Sequence, residues 1–234
     1  MKALVIGGSG SIGSAIVTRL LSEGYEVIVH YHQSDIAKLE ERFRNQPVQF
    51  VQCDLTQTID ITQHFGFVQN LDCFIYCAGA SMYQMLEDTS DHDIDVSYQL
   101  NVKQLIRLTR HFLPQLRQSE QGRIIVMSSI WGETGASLET IYSTMKSAQL
   151  GFVKALSQEL ALTSVTVNAI APGFVKGNMS EVFEAEELET IIADLPQQRL
   201  VEPEEVAHVC SYLCHPMAKS ITGTVQKVNG AWYL

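Results

Sequence analysis

The chain is 234 residues long, 46 % hydrophobic, with a formal net charge of −10. A charge of that sign is repelled by nucleic-acid phosphates and by an acidic membrane surface, so neither is expected as a partner. The length suffices for one α/β domain over residues 1–234 or for two small ones; no Pro/Gly/Ser-rich linker, charge block or repeat divides it, which favours one.

The first apolar run, Lys2 to Ile6, is too short for a signal peptide or a membrane span, and a cytoplasmic location is expected. It leads into GGSGSIG and then a helical pattern from Ser11 to Leu21. A strand, a glycine turn and a helix in this order aim free backbone N–H groups, with the helix dipole behind them, at a phosphate. Two registers fit. Gly8, Gly10 and Gly13 make the common dinucleotide fingerprint, while Gly7 with Gly13 makes a longer loop with Ser11 at the centre.

The second run, EVIVHY, ends at His30, Tyr31, His32 and Gln33. Enzymes that use NAD place a carboxylate here on the ribose hydroxyls. With no acid at that point and donors at His32 and Gln33, NADP(H) is favoured; NAD(H) is the alternative, since Asp35 follows and no arginine is present. A helix is expected from Asp35 to Asn45, ended before Pro47, followed by VQFVQ and LDCFIY, a long amphipathic helix from Gln99 to Leu116, and RIIVM. A second long helix from Thr140 to Leu162, then VTVNAI and TVQKV, complete seven apolar runs separated by helices. This alternation predicts a doubly wound α/β fold with a seven-stranded parallel sheet covered on both faces. The five cysteines, odd in number and without a Cys-x-x-Cys pair, are expected to be buried reduced thiols, and no metal site is expected. From Gly177 to Pro203 the chain is acidic and helical in pattern, placed where it serves either as a lid over a site or as surface helices.

Between the fifth run and the long helix stands SSIWGETGASLETIYSTMK. Tyr142 and Lys146, four apart, share a helix face, so the ammonium can lie beneath the phenol and make it a better acid. Ser129 precedes them by thirteen residues.

Glycine loop, Ser129, Tyr142-x-x-x-Lys146 and seven strands in order resemble the short-chain dehydrogenase/reductases over nearly the whole chain. VQCDLTQ, QLNVKQL, VNAIAPGF, PEEVA and the ending ITGTVQKVNGAWYL resemble the oxoacyl-acyl-carrier-protein reductases in particular. The resemblance implies Tyr142 as proton donor, Ser129 as the hydroxyl that holds the substrate carbonyl, and Lys146 as the group that tunes Tyr142 and grips the nicotinamide ribose. It implies Asn101 as holder of a relay water. For the cofactor it implies Gly7, Ser9, Gly10, Ser11, Ile12 and Gly13 at the phosphates, and His32 and Gln33 at the ribose. Asp54 and Leu55 belong at the adenine, Ala78 and Gly79 under the ribose, and Pro172, Gly173 and Val175 at the carboxamide. Ile6, Ser11, Tyr76-Cys77 and Gly177 depart from the family pattern.

The implied activity is reduction of a ketone. SSIWGETGAS resembles the branch that reduces the 5-aminopentanone group on elongation factor P, and the acidic charge fits a substrate other than an acidic acyl carrier protein. Trp131 would line a cleft for the substrate's long arm, and the acids after Gly177 would attract its amine. The alternatives are an oxoacyl-acyl-carrier-protein reductase of fatty-acid synthesis and a non-catalytic dinucleotide-binding module. The family implies a homotetramer, in which Ala231-Trp232-Tyr233-Leu234 lies at a subunit contact or Trp232 lies in its own core.

Overall fold

A computed structural model describes residues 1–177, 180 and 183–233. Seven strands form one parallel sheet: β1 Lys2–Ile6, β2 Glu26–Tyr31, β3 Val48–Gln52, β4 Cys73–Tyr76, β5 Arg123–Met127, β6 Thr166–Pro172 and β7 Val225–Val228. Their order across the sheet is β3-β2-β1-β4-β5-β6-β7. The chain therefore reverses its direction of travel between β1 and β4, where an open α/β sheet forms its ligand crevice.

Alternation along the strands divides the core in two. Leu4, Ile6, Phe74, Tyr76, Ile124 and Val126 pack with Leu105, Leu108 and Phe112 of α5 (Gln104–Gln118) and with Leu150 and Val153 of α7 (Thr140–Glu159). Ala3, Val5, Cys73, Ile75, Ile125 and Met127 pack with Ile16, Val17 and Leu20 of α1 (Ser11–Ser22) and with Val206, Cys210 and Leu213 of α9 (Pro203–Cys214). All five cysteines are free thiols, four of them buried and Cys77 partly so.

Of the remaining helices, α2 is Ile36–Arg42, capped by the Asp35 carboxylate on the Ala37 N–H, and α3 is the short Ile61–Phe65 behind an Asp60 cap. The region expected as one helix from Gln99 is built differently. It begins as α4, Asp91–Tyr98, behind the Ser90 cap, passes through a π-helical turn at Gln99–Lys103, and continues as α5. The polar run DHDIDVSY concealed its first turns, because a helix with an exposed acidic face has little apolar periodicity to read. After the single turn α6, Trp131–Thr134, helix α7 ends at Glu159 rather than Leu162; Leu160 is fully buried and Thr163 N–H closes back onto its carbonyl. In the acidic segment, α8 spans Ala185–Asp194, with Glu184 and Glu187 forming a reciprocal capping box. Asn178, Met179, Glu181 and Val182 of that segment, and Leu234 of the C-terminal Ala231-Trp232-Tyr233-Leu234, lie outside the described residues.

Candidate active site

The residues singled out in the sequence converge on the carboxyl ends of the strands. Gly7 to Gly10 form the turn from β1 into α1, whose first turn carries Ser11 to Gly13, and His32 and Gln33 follow β2. Asp54 and Leu55 follow β3, Ala78 and Gly79 follow β4, Ser129 follows β5, and Pro172, Gly173 and Val175 close and follow β6.

The glycine loop adopts the longer of the two registers. Gly7 has φ +76°, and a Cβ on Gly13 would fall 2.1 Å from the Gly7 carbonyl oxygen, so the helix can start under the loop only with hydrogen at that position. His30 fastens the loop from below: its Nδ1 accepts the Gly7 N–H at 3.1 Å, and its Nε2 lies 3.0 Å from the Cys53 carbonyl oxygen. With Nδ1 accepting, Nε2–H must donate, which fixes the tautomer. Burial, the largest cause, pushes the imidazole pKa down to about 4, against the opposing Cys53 hydrogen bond and helped by His32 and His64. His30 is thus a neutral strut.

At the end of β2, His32 Nε2 lies 3.7 Å from Asp54 Oδ1, and Gln33 is exposed. Burial acts to raise the Asp54 pKa, but hydrogen bonds from the Thr56 hydroxyl at 2.7 Å and the Thr56 N–H at 2.9 Å, together with His32, outweigh it and hold the carboxyl low. The Ser34 and Ser9 hydroxyls meet at 2.9 Å, joining the end of β2 to the glycine loop. Not every expected side chain faces this crevice. Leu55 is buried in the α5/α7 face of the core, while Ile12 and Val175 pack against the α1/α9 face.

Ser129, Tyr142 and Lys146 form the third part of the site. The Lys146 ammonium lies 5.4 Å from the centroid of the Tyr142 ring, and Ser129 interacts with the phenol by a side-chain hydrogen bond. Burial drives the Tyr142 pKa well up, the Glu139 charge adds to the rise, and the Ser129 hydrogen bond opposes it. The expected lowering by Lys146 is not among these causes: its ammonium meets the ring face and bonds the Met127 carbonyl at 2.8 Å and Gln149 Oε1 at 3.3 Å. Its own pKa is pushed down to about 8 by burial, partly opposed by Cys77.

The π-helical turn supplies the fourth part. A π turn leaves carbonyls out of the α ladder, and side chains take them: the Tyr76 hydroxyl donates to Leu100 O, and Gln149 Nε2 donates to Asn101 O at 2.8 Å. Gln149 thus ties the Asn101 backbone to Lys146. The Asn101 side chain donates to Ser97 O at 3.0 Å, while its Oδ1 is buried without a hydrogen-bond partner among the described residues. A Cβ on Gly79 would come within 3.0 Å of that Oδ1 and 3.1 Å of Lys146 Nζ, so Ala78-Gly79 passes directly over both. A glycine cradle, a neutral strut beneath it, and a buried acceptor and an ammonium both under Gly79 fit a bound dinucleotide.

Four participants were not anticipated: Gln149, His30, Ser34 and Glu139. Gln149 and Glu139 lie three residues beyond Lys146 and three before Tyr142, a spacing that helix geometry could have flagged. His30 and Ser34 had no local signal, because their partners lie far off in the chain, in the glycine loop and just after β3. Trp131 is committed within its own chain: its ring packs on Trp232 at 5.0 Å and Tyr233 at 5.5 Å, which places Trp232 against its own subunit.

A doubly wound sheet with a glycine cradle at its switch point, and with serine, tyrosine and lysine at the carboxyl edge, defines the dinucleotide-dependent oxidoreductases of this fold. Residues 7–231 match the adh_short_C2 family model, described as enoyl-(acyl carrier protein) reductase, and the chain belongs to the short-chain dehydrogenase/reductase family. It is similar to an uncharacterised oxidoreductase of Bacillus subtilis (strain 168), YmfI, with 37 % identity covering 99 % of this chain and 98 % of that protein. It is 32 % identical to the 3-oxoacyl-[acyl-carrier-protein] reductase FabG of Rickettsia typhi, covering 97 % of this chain and 95 % of that one. The crystal structure of a variant actinorhodin polyketide ketoreductase with NADPH superposes with a TM-score of 0.91 at 29 % identity, covering 99 % of this chain and 96 % of that one. Among the described residues, no helix is long and apolar enough to cross a membrane.

Proposed function

We propose that this oxidoreductase uses NADP(H) to reduce a ketone, and that the ketone is the 5-aminopentanone group carried by elongation factor P. The meeting of Ser129, Tyr142 and Lys146 beside Asn101, at the edge where the glycine loop opens, carries the catalytic part of this reading. A dinucleotide held at the glycine loop would supply the hydride that the carbonyl carbon accepts. Tyr142 gives its phenolic proton to the carbonyl oxygen, which the Ser129 hydroxyl holds, so that C=O becomes CH–OH. The Lys146 ammonium at the ring face offsets the phenolate as it forms and holds the nicotinamide ribose. Asn101 Oδ1, an acceptor without a partner among the described residues, would hold a water near Lys146 through which the proton returns from solvent.

Support for NADP(H) comes from the end of β2, where His32, Gln33 and the paired Ser34 and Ser9 hydroxyls offer donors and no carboxylate stands in the His30 to Ser34 stretch. The NADPH in the related ketoreductase agrees with it. Support for a substrate other than an acyl carrier protein comes from the net charge of −10 and the exposed acids Glu184, Glu186, Glu187 and Glu189 around α8. Similarity to FabG of Rickettsia typhi favours a second reading, reduction of 3-oxoacyl groups on acyl carrier protein. For the assembly we propose a cytoplasmic homotetramer, in keeping with exposed Tyr98 and Ile106 along the α4–α5 helix.

The test is to incubate the enzyme and NADPH with elongation factor P bearing the aminopentanone, and separately with an acetoacetyl carrier substrate. Gain of two hydrogens on the factor, with cofactor oxidation, is expected. A carrier substrate favoured by more than about tenfold in kcat/KM, about 1.4 kcal/mol of transition-state binding, would establish the fatty-acid reading instead.

A further inference from the structure

We propose that Glu139 is the residue that selects a cationic substrate, by pairing its carboxylate with an ammonium on the arm of the ketone. This rests on the reductase reading above and moves amine recognition from the acids around α8 to the catalytic helix itself.

Glu139 occupies the N-cap position of α7, three residues before Tyr142. Residues so spaced are neighbours on a helix face, about 5–6 Å apart at Cβ, a distance that a short alkyl arm spans. Its side chain does not cap its own helix. Both carboxylate oxygens instead lie 2.7 Å from the Ser81 hydroxyl, on the loop that follows β4. That loop is fastened in turn, for Gln84 N–H donates to the Leu138 carbonyl at 2.9 Å. The carboxylate is therefore held across the mouth of the site between the two segments that flank Tyr142.

Its charge is not neutralised. Among the described residues Glu139 takes part in no ion pair, although it is partly buried. Burial raises its pKa, with the Ser81 hydrogen bond acting in the opposite direction. A half-buried carboxylate with one hydroxyl for company is costly unless a cation joins it. The cost extends to the chemistry, because Glu139 also raises the pKa of the Tyr142 phenol. Proton donation turns that phenol into phenolate, which a nearby carboxylate opposes. An ammonium seated on Glu139 cancels the opposition at the moment the phenolate forms, so a cationic ketone gains in turnover as well as in binding. A neutral acyl chain gains in neither. By contrast the acids at the start of α8 are exposed, and Glu184 and Glu187 are engaged with each other's backbone in the capping box.

Two ketones of matched shape test this: pentan-2-one carrying a terminal trimethylammonium group, which cannot cyclise, and its neutral tert-butyl isostere. Each is assayed with NADPH on the wild type and on Glu139→Gln. The wild type is expected to favour the cation by more than about tenfold in kcat/KM, and Glu139→Gln by less than about threefold, with turnover of the neutral ketone raised because the charge that opposes the phenolate is gone. A charge preference equal in the two proteins, or loss of turnover on both ketones in Glu139→Gln, overturns the assignment and leaves the reductase reading standing. Reduction of neither ketone by the wild type overturns this inference, and the assay on elongation factor P then decides the reductase reading separately.

Discussion

His30 offers a quantitative check on the architecture of the cofactor loop. Its ring joins Gly7 to Cys53 as a neutral imidazole, and its pKa is pushed from an ordinary 6.5 down to about 4, chiefly by burial. At about 1.4 kcal/mol per pH unit, the depression corresponds to about 3 kcal/mol of stability. The unfolded chain takes up the proton first as pH falls, so this contribution is complete above pH 6.5 and is lost as pH falls through about 4. Protonation would also replace the Nδ1 acceptor by a donor facing the Gly7 N–H, loosening the loop. His30→Asn retains an amide donor and acceptor but cannot titrate. Urea unfolding of both proteins at one fixed protein concentration, from pH 7 to pH 4, isolates the histidine from the other titrating groups. The wild type is expected to begin more stable by about 1 kcal/mol, the scale of weakened hydrogen bonds, and to surrender about 3 kcal/mol relative to the variant across the window. Parallel curves, or an imidazole proton resonance titrating near 6.5, would refute the reasoning.

Tyr142→Phe is expected to lower turnover by about 10² to 10⁴ while NADPH affinity, measured by cofactor fluorescence, stays near wild type; near-normal turnover sinks the assignment of the proton donor. Lys146→Ala should damage both constants. Because burial sets the Lys146 pKa at about 8, its ammonium is lost above that pH, and kcat/KM for the cofactor should decline as pH rises through about 8. The same group makes stability rise between about pH 8 and its ordinary 10.5, where the unfolded lysine keeps a proton the folded one releases. Gly13→Ala places a methyl group 2.1 Å from the Gly7 carbonyl, and should cost about 1–3 kcal/mol of stability together with most of the cofactor affinity, read by thermal unfolding and titration. His32→Asp should turn cofactor preference toward NADH; equal kcat/KM ratios for the two cofactors in variant and wild type would show that the end of β2 does not set the choice.

The strands were legible because each is a short run bounded by turn residues, continuous and apolar where the sheet is buried on both faces and interrupted by polar residues at the edge strands β3 and β7, so β1 to β3 and β5 appear at the residues the sequence indicates, with only the ends of β4, β6 and β7 displaced. The convergence of Ser129, Tyr142 and Lys146 was legible for another reason: two of the three share one helix, and the third sits at a strand end that a parallel sheet must bring beside it. The π turn was not readable, because its stability comes from Tyr76 and Gln149, which lie on other elements and answer carbonyls that a regular helix would have used itself. His30 was similarly opaque: within EVIVHY it has the pattern of an ordinary strand residue, and its purpose exists only once β1 and β3 stand on either side. Lys146 shows the limit of spacing arguments, since four residues place the ammonium at the tyrosine ring but do not decide whether burial or charge governs the phenol.

The π-helical turn also acts as an angular adjuster. Ahead of it the helix carries Ser97, which Asn101 uses; beyond it Leu105, Leu108 and Phe112 enter the core. Each residue of an α-helix advances the side-chain direction by about 100°, so a single residue added at this point rotates everything downstream by that angle without moving the axis. Deleting one residue between Gln99 and Lys103 would straighten the helix and undo the rotation, swinging the α5 leucines out of the sheet's shadow or, if they stayed, turning Asn101 away from Lys146. Core packing downstream and the placement of Asn101 are therefore phased independently along this one helix.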